Sequence, residues 1–95
     1  MTRFIHITEI DWDTYDEDNN EFIDPEKAGL PSEVLIEADE KLYNELMEDP
    51  DDCLSNYLSD KFGCCDYGFN FTVHQGYGDE VKEIIDRIGE ENILG

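Results

Sequence analysis

Apolar residues recur along this chain with two periods, and the switches between them mark its elements. From Arg3 to Trp12 the spacing is that of a strand, with Phe4, His6, Thr8, Ile10 and Trp12 on one face. Ile5 and Ile7 lie on the other face, which predicts burial on both sides at the strand's start, while Glu9 and Asp11 make its end more polar. Residues 14–30 read as a polar, acidic loop. After Pro31 a short strand follows over Glu33 to Ala38, with Val34, Ile36 and Ala38 on one face. The period then lengthens: Leu42, Tyr43, Leu46 and Met47 form a helical stripe. Asp49-Pro50-Asp51-Asp52 opens a second helix, Asp49 placed to cap, Pro50 suited to the first turn, and two carboxylates at the positive end of the dipole. That helix carries Cys53, Leu54, Tyr57, Leu58 and Phe62 on one face and ends at Gly63. Tyr67, Phe69, Phe71 and Val73 then alternate with Gly68, Asn70, Thr72 and His74, the cleanest strand pattern in the chain and one that reads as core-facing. Gly76 and Gly78 turn into a last helix with a Val81, Ile84, Ile85, Ile88 stripe, closed by Gly89.

The order is β-β-α-α-β-α. It predicts one α+β domain over residues 1–95, built as a three-stranded antiparallel sheet with its helices packed on one face.

Composition adds a constraint that the pattern alone does not carry. Within 95 residues, 39% hydrophobic and 12% aromatic content supplies one core. The 26 acidic residues against 6 lysines and arginines leave a formal charge of -20. Such a charge repels itself and keeps the chain in solution. It also argues against direct binding to nucleic acid or to an anionic membrane, and for a basic surface as partner. No apolar run approaches the roughly 18 residues of a membrane span, and the acidic, alternating start is not that of a signal peptide. Cys53, Cys64 and Cys65, odd in number and two of them adjacent, fit reduced thiols in a cytoplasm better than a disulfide framework.

The candidate chemistry is thin. Asp16, Asp18 and Asn20 stand at the first, third and fifth positions of a calcium-loop pattern, with Asp24 at the ninth. Glu21 then occupies the place of the turn glycine and Lys27 that of the closing glutamate, so the expectation is a solvated acidic loop with weak, unselective cation binding at most. Cys64, Cys65 and His74 lack zinc-ligand spacing. As a nucleophilic pair they would suffer from the surrounding carboxylates, which raise a thiol's pKa. The aromatic strand from Tyr67 to Phe71 has no basic flank to act as a base-stacking platform. The expectation is a protein that is not an enzyme and uses no cofactor or metal.

What remains is the carboxylate field. Duplex DNA presents about one charge per 1.7 Å of axis. Carboxylates spread over residues 11–26, 37–52 and 79–91 on a folded domain could reach a comparable density. The leading expectation is therefore a nucleic-acid mimic that inhibits a nucleic-acid-binding protein of restriction or CRISPR type. Its partner-binding residues would be Asp16, Glu17, Asp18, Asp24 and Glu26 in the loop, with Glu48, Asp49, Asp51 and Asp52 at the helix junction. The alternatives are a small protein–protein interaction module using an aromatic patch around Trp12, Tyr15 and Tyr77, or a weak cation-binding protein.

Leu30-Pro31-Ser32-Glu33-Val34, Tyr57-Leu58-Ser59-Asp60-Lys61-Phe62-Gly63-Cys64 followed by Phe69, and Glu9-Ile10-Asp11-Trp12-Asp13-Thr14 resemble stretches of short acidic proteins of unknown function encoded by Firmicutes and their phages or mobile elements. The resemblance spans about half the chain. It implies a bacterial cytoplasmic setting, and it transfers no catalytic residue.

Overall fold

The computed structural model describes residues 2–25 and 27–94. The first strand, β1, runs over Arg3–Trp12, as its pattern predicts. Two short strands, β2 (Tyr15–Asp16) and β3 (Glu21–Phe22), form a hairpin inside the acidic stretch expected to be a plain loop. Then come β4 (Val34–Ala38), α1 (Glu40–Glu48), α2 (Pro50–Phe62), β5 (Asp66–Gln75) and α3 (Asp79–Ile88). A single 3-10 turn at Glu90–Asn92 leads into β6 (Ile93–Leu94).

The class is α+β, but the sheet is larger than predicted. It has four strands in the order β5-β1-β4-β6, antiparallel except for the β4–β6 pair, which is parallel. A two-residue strand leaves no alternation to read, so β6 has no signature of its own.

The helices also differ from expectation, because they cover both faces of the sheet. Ile5, Ile7, Val34, Ile36 and Ala38 form one core with Leu46 of α1 and with Leu54 and Leu58 of α2. Phe4 and Leu35 point the opposite way and are buried against Val81 and Ile84 of α3. The two central strands are apolar on both sides, so a helical layer on one side alone would leave Phe4 and Leu35 in water.

The face assignment of β1 changes midway. Glu9 has φ 52, and the β1–β5 register shifts between Thr8 and Asp11. This bulge adds one residue and reverses the alternation beyond it. Ile10 and Trp12, expected to share a face with Phe4, therefore join Ile5 and Ile7.

Helix boundaries follow their local chemistry. Asp39 caps α1 by accepting a hydrogen bond from the Leu42 amide at 2.8 Å. Pro50 opens α2, whose cap residue Asp49 makes no side-chain capping bond. Gly63, in the left-handed region at φ 70, closes α2 with its amide on the Ser59 carbonyl.

Candidate functional surface

Water can reach almost every carboxylate. Each described Asp and Glu is exposed except Asp13, Asp16, Glu33 and Asp66, which are half-buried. The few cations do little to neutralise them. Arg3 lies over the Tyr43 ring at 4.5 Å and Lys61 over the Tyr57 ring at 5.5 Å. Among the described residues, Arg87 is the one arginine or lysine that forms an ion pair, with Glu33 at 2.7 Å.

Two groups of carboxylates were expected to act. In the β2–β3 hairpin, the half-buried Asp16 is used internally: its carboxylate accepts from the Asp18 amide at 3.0 Å and from the Asn19 side chain at 2.9 Å. The Tyr15 hydroxyl donates to the Asn20 side chain across the same turn, and Asn20 itself has φ 56. The hairpin tip is thereby tied together, and Glu17 and Asp18 project from it into solvent. Asp24 is exposed just beyond β3. Glu26 lies outside the described residues.

At the helix junction Glu48, Asp49, Asp51 and Asp52 are all exposed. The two groups are not brought together. Phe62, at the end of α2, packs edge-on against Trp12 at 5.4 Å, and the Asp13 amide bonds the Cys65 carbonyl at 2.8 Å. The hairpin thus sits at the C-terminal end of α2. Asp51 lies eleven residues away, roughly 17 Å along the helix axis at 1.5 Å per residue. Carboxylates also lie along α3, on the opposite side of the sheet, at Asp79, Glu80, Glu83 and Asp86. The negative field wraps the molecule and is not confined to one face.

The aromatic residues of the alternative reading are scattered as well. Trp12 is only 3% exposed and donates its indole N–H to the Pro31 carbonyl at 2.7 Å. Tyr77 packs edge-on against Phe4, at the other end of β1. Tyr15 pairs instead with Phe22 across the hairpin, at 5.1 Å between ring centres.

Among the described residues no group of three or more His, Cys, Asp or Glu converges as a metal site. The Cys64 thiol bonds the Asp13 carbonyl at 3.0 Å near the start of β5, while His74 stands near that strand's far end beside Glu80 at 3.4 Å. The two cannot form a catalytic pair. Burial pushes the Cys64 thiol up, and the charges of Asp13, Cys65 and Asp66 push the same way.

A cluster that the sequence did not signal joins three elements. Glu33 Oε2 accepts from His6 Nε2 at 2.9 Å and from Arg87 Nη2 at 2.7 Å, while Oε1 accepts from Arg87 Nε at 3.1 Å. Burial raises the Glu33 pKa, but the hydrogen bonds and charges of Arg87 and His6 outweigh it and hold the carboxyl below its ordinary value. With both oxygens engaged and its pKa low, Glu33 is a fastener and a poor general base. It lines, with Arg87, Trp12, Leu30, Pro31 and Ile88, an open cleft of about 450 Å³. His6 and Arg87 lie 27 and 54 residues from Glu33, so no local spacing could have revealed the cluster.

No protein-family model, curated protein or solved structure matches this chain. Among the described residues no helix is long and apolar enough to cross a membrane.

Proposed function

We propose that this protein is a non-enzymatic mimic of nucleic acid, which occupies the basic groove of a cytoplasmic nucleic-acid-binding protein of restriction or CRISPR type. The observation that carries this reading is the exposure of nearly all its carboxylates on an ordered α+β body, with a single arginine–carboxylate ion pair among the described residues. A decoy needs charges held at fixed positions, because a flexible acidic tail would lose entropy on binding. The Asp16 turn holds Glu17 and Asp18, and α2 holds Asp51 and Asp52.

The test is a pull-down from bacterial lysate at low salt, with elution by a salt gradient and by competing duplex DNA. Captured proteins are expected to be nucleic-acid-binding proteins, displaced by DNA and weakening steeply with salt. Retention that is indifferent to both salt and DNA overturns the reading.

A second reading, a small protein–protein interaction module, draws on one specific observation. Tyr15 and Phe22, 42% and 67% exposed, pair across the β2–β3 hairpin, and Ile23, 39% exposed, follows Phe22 in the chain. Binding through them would persist at high salt and fail in a Phe22→Ala variant.

A further inference from the structure

In a chain whose residues are 34% charged, the segment from Tyr67 to Gly78 contains no charged side chain. Most of it is β5, which stands at the end of the sheet order and is paired only with β1. Sheet edges are ordinarily protected by charged residues, proline or short length. Over its ten residues β5 has no proline and only Asp66, at one end, as a charge.

The pairing parity shows which backbone groups are free. The Gly76 amide donates to the Thr2 carbonyl at 3.0 Å, on the same register that sets Arg3 against Gln75 and Thr8 against Asn70. Hydrogen-bonded pairs alternate in an antiparallel ladder. Asn70, Thr72 and His74 therefore direct their amides and carbonyls at β1, while Phe69, Phe71 and Val73 direct theirs outward.

We propose that β5 is a dimer interface, in which two copies of this chain pair these strands antiparallel about a two-fold axis at Asn70. That register keeps corresponding sheet faces together. It sets Phe69 against Phe71 of the second copy and Gly68 against Thr72, and it ends at the register shift near Tyr67, beyond which Asp66 turns to Ser55 of α2. The Glu9 carboxylate, which accepts from Asn70 Nδ2, lies beside the axis in each copy. Phe69 and Phe71, only partly buried in the single chain, gain cover from the pairing. A partner chosen for basic charge would be drawn to the carboxylates elsewhere. The neutral strand suits a partner that is equally neutral and complementary along its length, and a second copy is both. The pairing consumes the edge of each copy, so assembly stops at two.

This interface is independent of the decoy reading and has the opposite salt dependence. Two copies at -20 repel each other until salt screens them, so the dimer strengthens as salt rises, whereas a complex with a basic protein weakens. Sedimentation equilibrium should show the mass moving from 11.0 kDa toward twice that value between low and high salt. Asn70 faces its own copy in a non-hydrogen-bonded pair, where Cα atoms are about 4.5 Å apart, close enough for a disulfide. In a Cys65→Ser background, Asn70→Cys should therefore crosslink in nearly all molecules under mild oxidation at high salt. Thr72→Cys, whose counterpart would be Gly68 of the second copy, should crosslink at least tenfold less. A single-chain mass at every salt concentration overturns the proposal, and so does equal crosslinking of the two cysteine variants.

Discussion

Glu33 is the residue at which the most structure depends on one side chain. It receives Arg87 from α3 and His6 from β1, and so ties the helix on one face to the centre of the sheet. Its folded-state pKa is depressed, so its contribution to stability is complete above the pKa it has in the unfolded chain and is lost as pH falls through the lower, folded value. Glu33→Gln is expected to cost about 1.5 kcal/mol near neutral pH, the scale of a hydrogen bond to a charged group. The gap should narrow as acid protonates the wild-type carboxyl, which urea unfolding at about pH 7 and about pH 3 would measure. A constant gap would show that Glu33 acts through its shape alone. Cys64 gives a second check at this scale. Burial and neighbouring negative charge keep it a thiol, so alkylation followed by mass spectrometry should label it at least several-fold more slowly than exposed Cys65 at neutral pH.

At the scale of elements, the bulge at Glu9 decides what β1 packs against. Deleting Glu9 would restore simple alternation and turn Ile10 and Trp12 away from α2. The expected result is loss of the folded state, read from the fluorescence of the single tryptophan. Glu9→Gly, which suits φ 52, should keep the fold. Elements with strong local chemistry were legible from residue order. The Asp-Pro-Asp-Asp start and Gly63 end bound α2, and the isoleucine stripe before Gly89 defines α3. The bulge was not legible, because a glutamate gives no warning of a left-handed backbone and the change of face comes from pairing with β5. The two-faced helix cover was half-visible: Phe4 opposite Ile5 signalled burial on both sides of β1, but not which helix would cross to the far side. For the candidate surface, residue type alone foretold exposed carboxylates. Their distribution around both layers depends on the crossing of α3 and could not be read from the order of the chain.

At the scale of the whole molecule, the charge acts on a body only 17 Å thick in its shortest dimension and 46 Å in its longest. The screening length is about 10 Å at 0.1 M salt and about 30 Å at 0.01 M, so carboxylates on opposite layers repel one another strongly only when salt is low. Stability should therefore rise with sodium chloride, most of the gain arriving by about 0.1 M. Urea or heat must be the denaturant, since guanidinium would itself screen the charge. Not all carboxylates should contribute equally to this repulsion. Asp51 and Asp52 occupy the first turn of α2, where the helix dipole favours negative charge, whereas Glu17 and Asp18 have no such compensation at the hairpin tip. Neutralising the hairpin pair, Glu17→Gln with Asp18→Asn, should raise the melting temperature at low salt by a few degrees, equivalent to about 0.5 kcal/mol in a domain of this size. The corresponding change at Asp51 and Asp52 should leave it level or lower it. If the charge serves a decoy, both double variants should nevertheless weaken partner binding, because a basic groove reads charge and not its cost to the fold. Equal stability effects from the two pairs would remove the helix dipole from this account, and a stabilised hairpin variant with undiminished binding would remove the hairpin from the recognition surface.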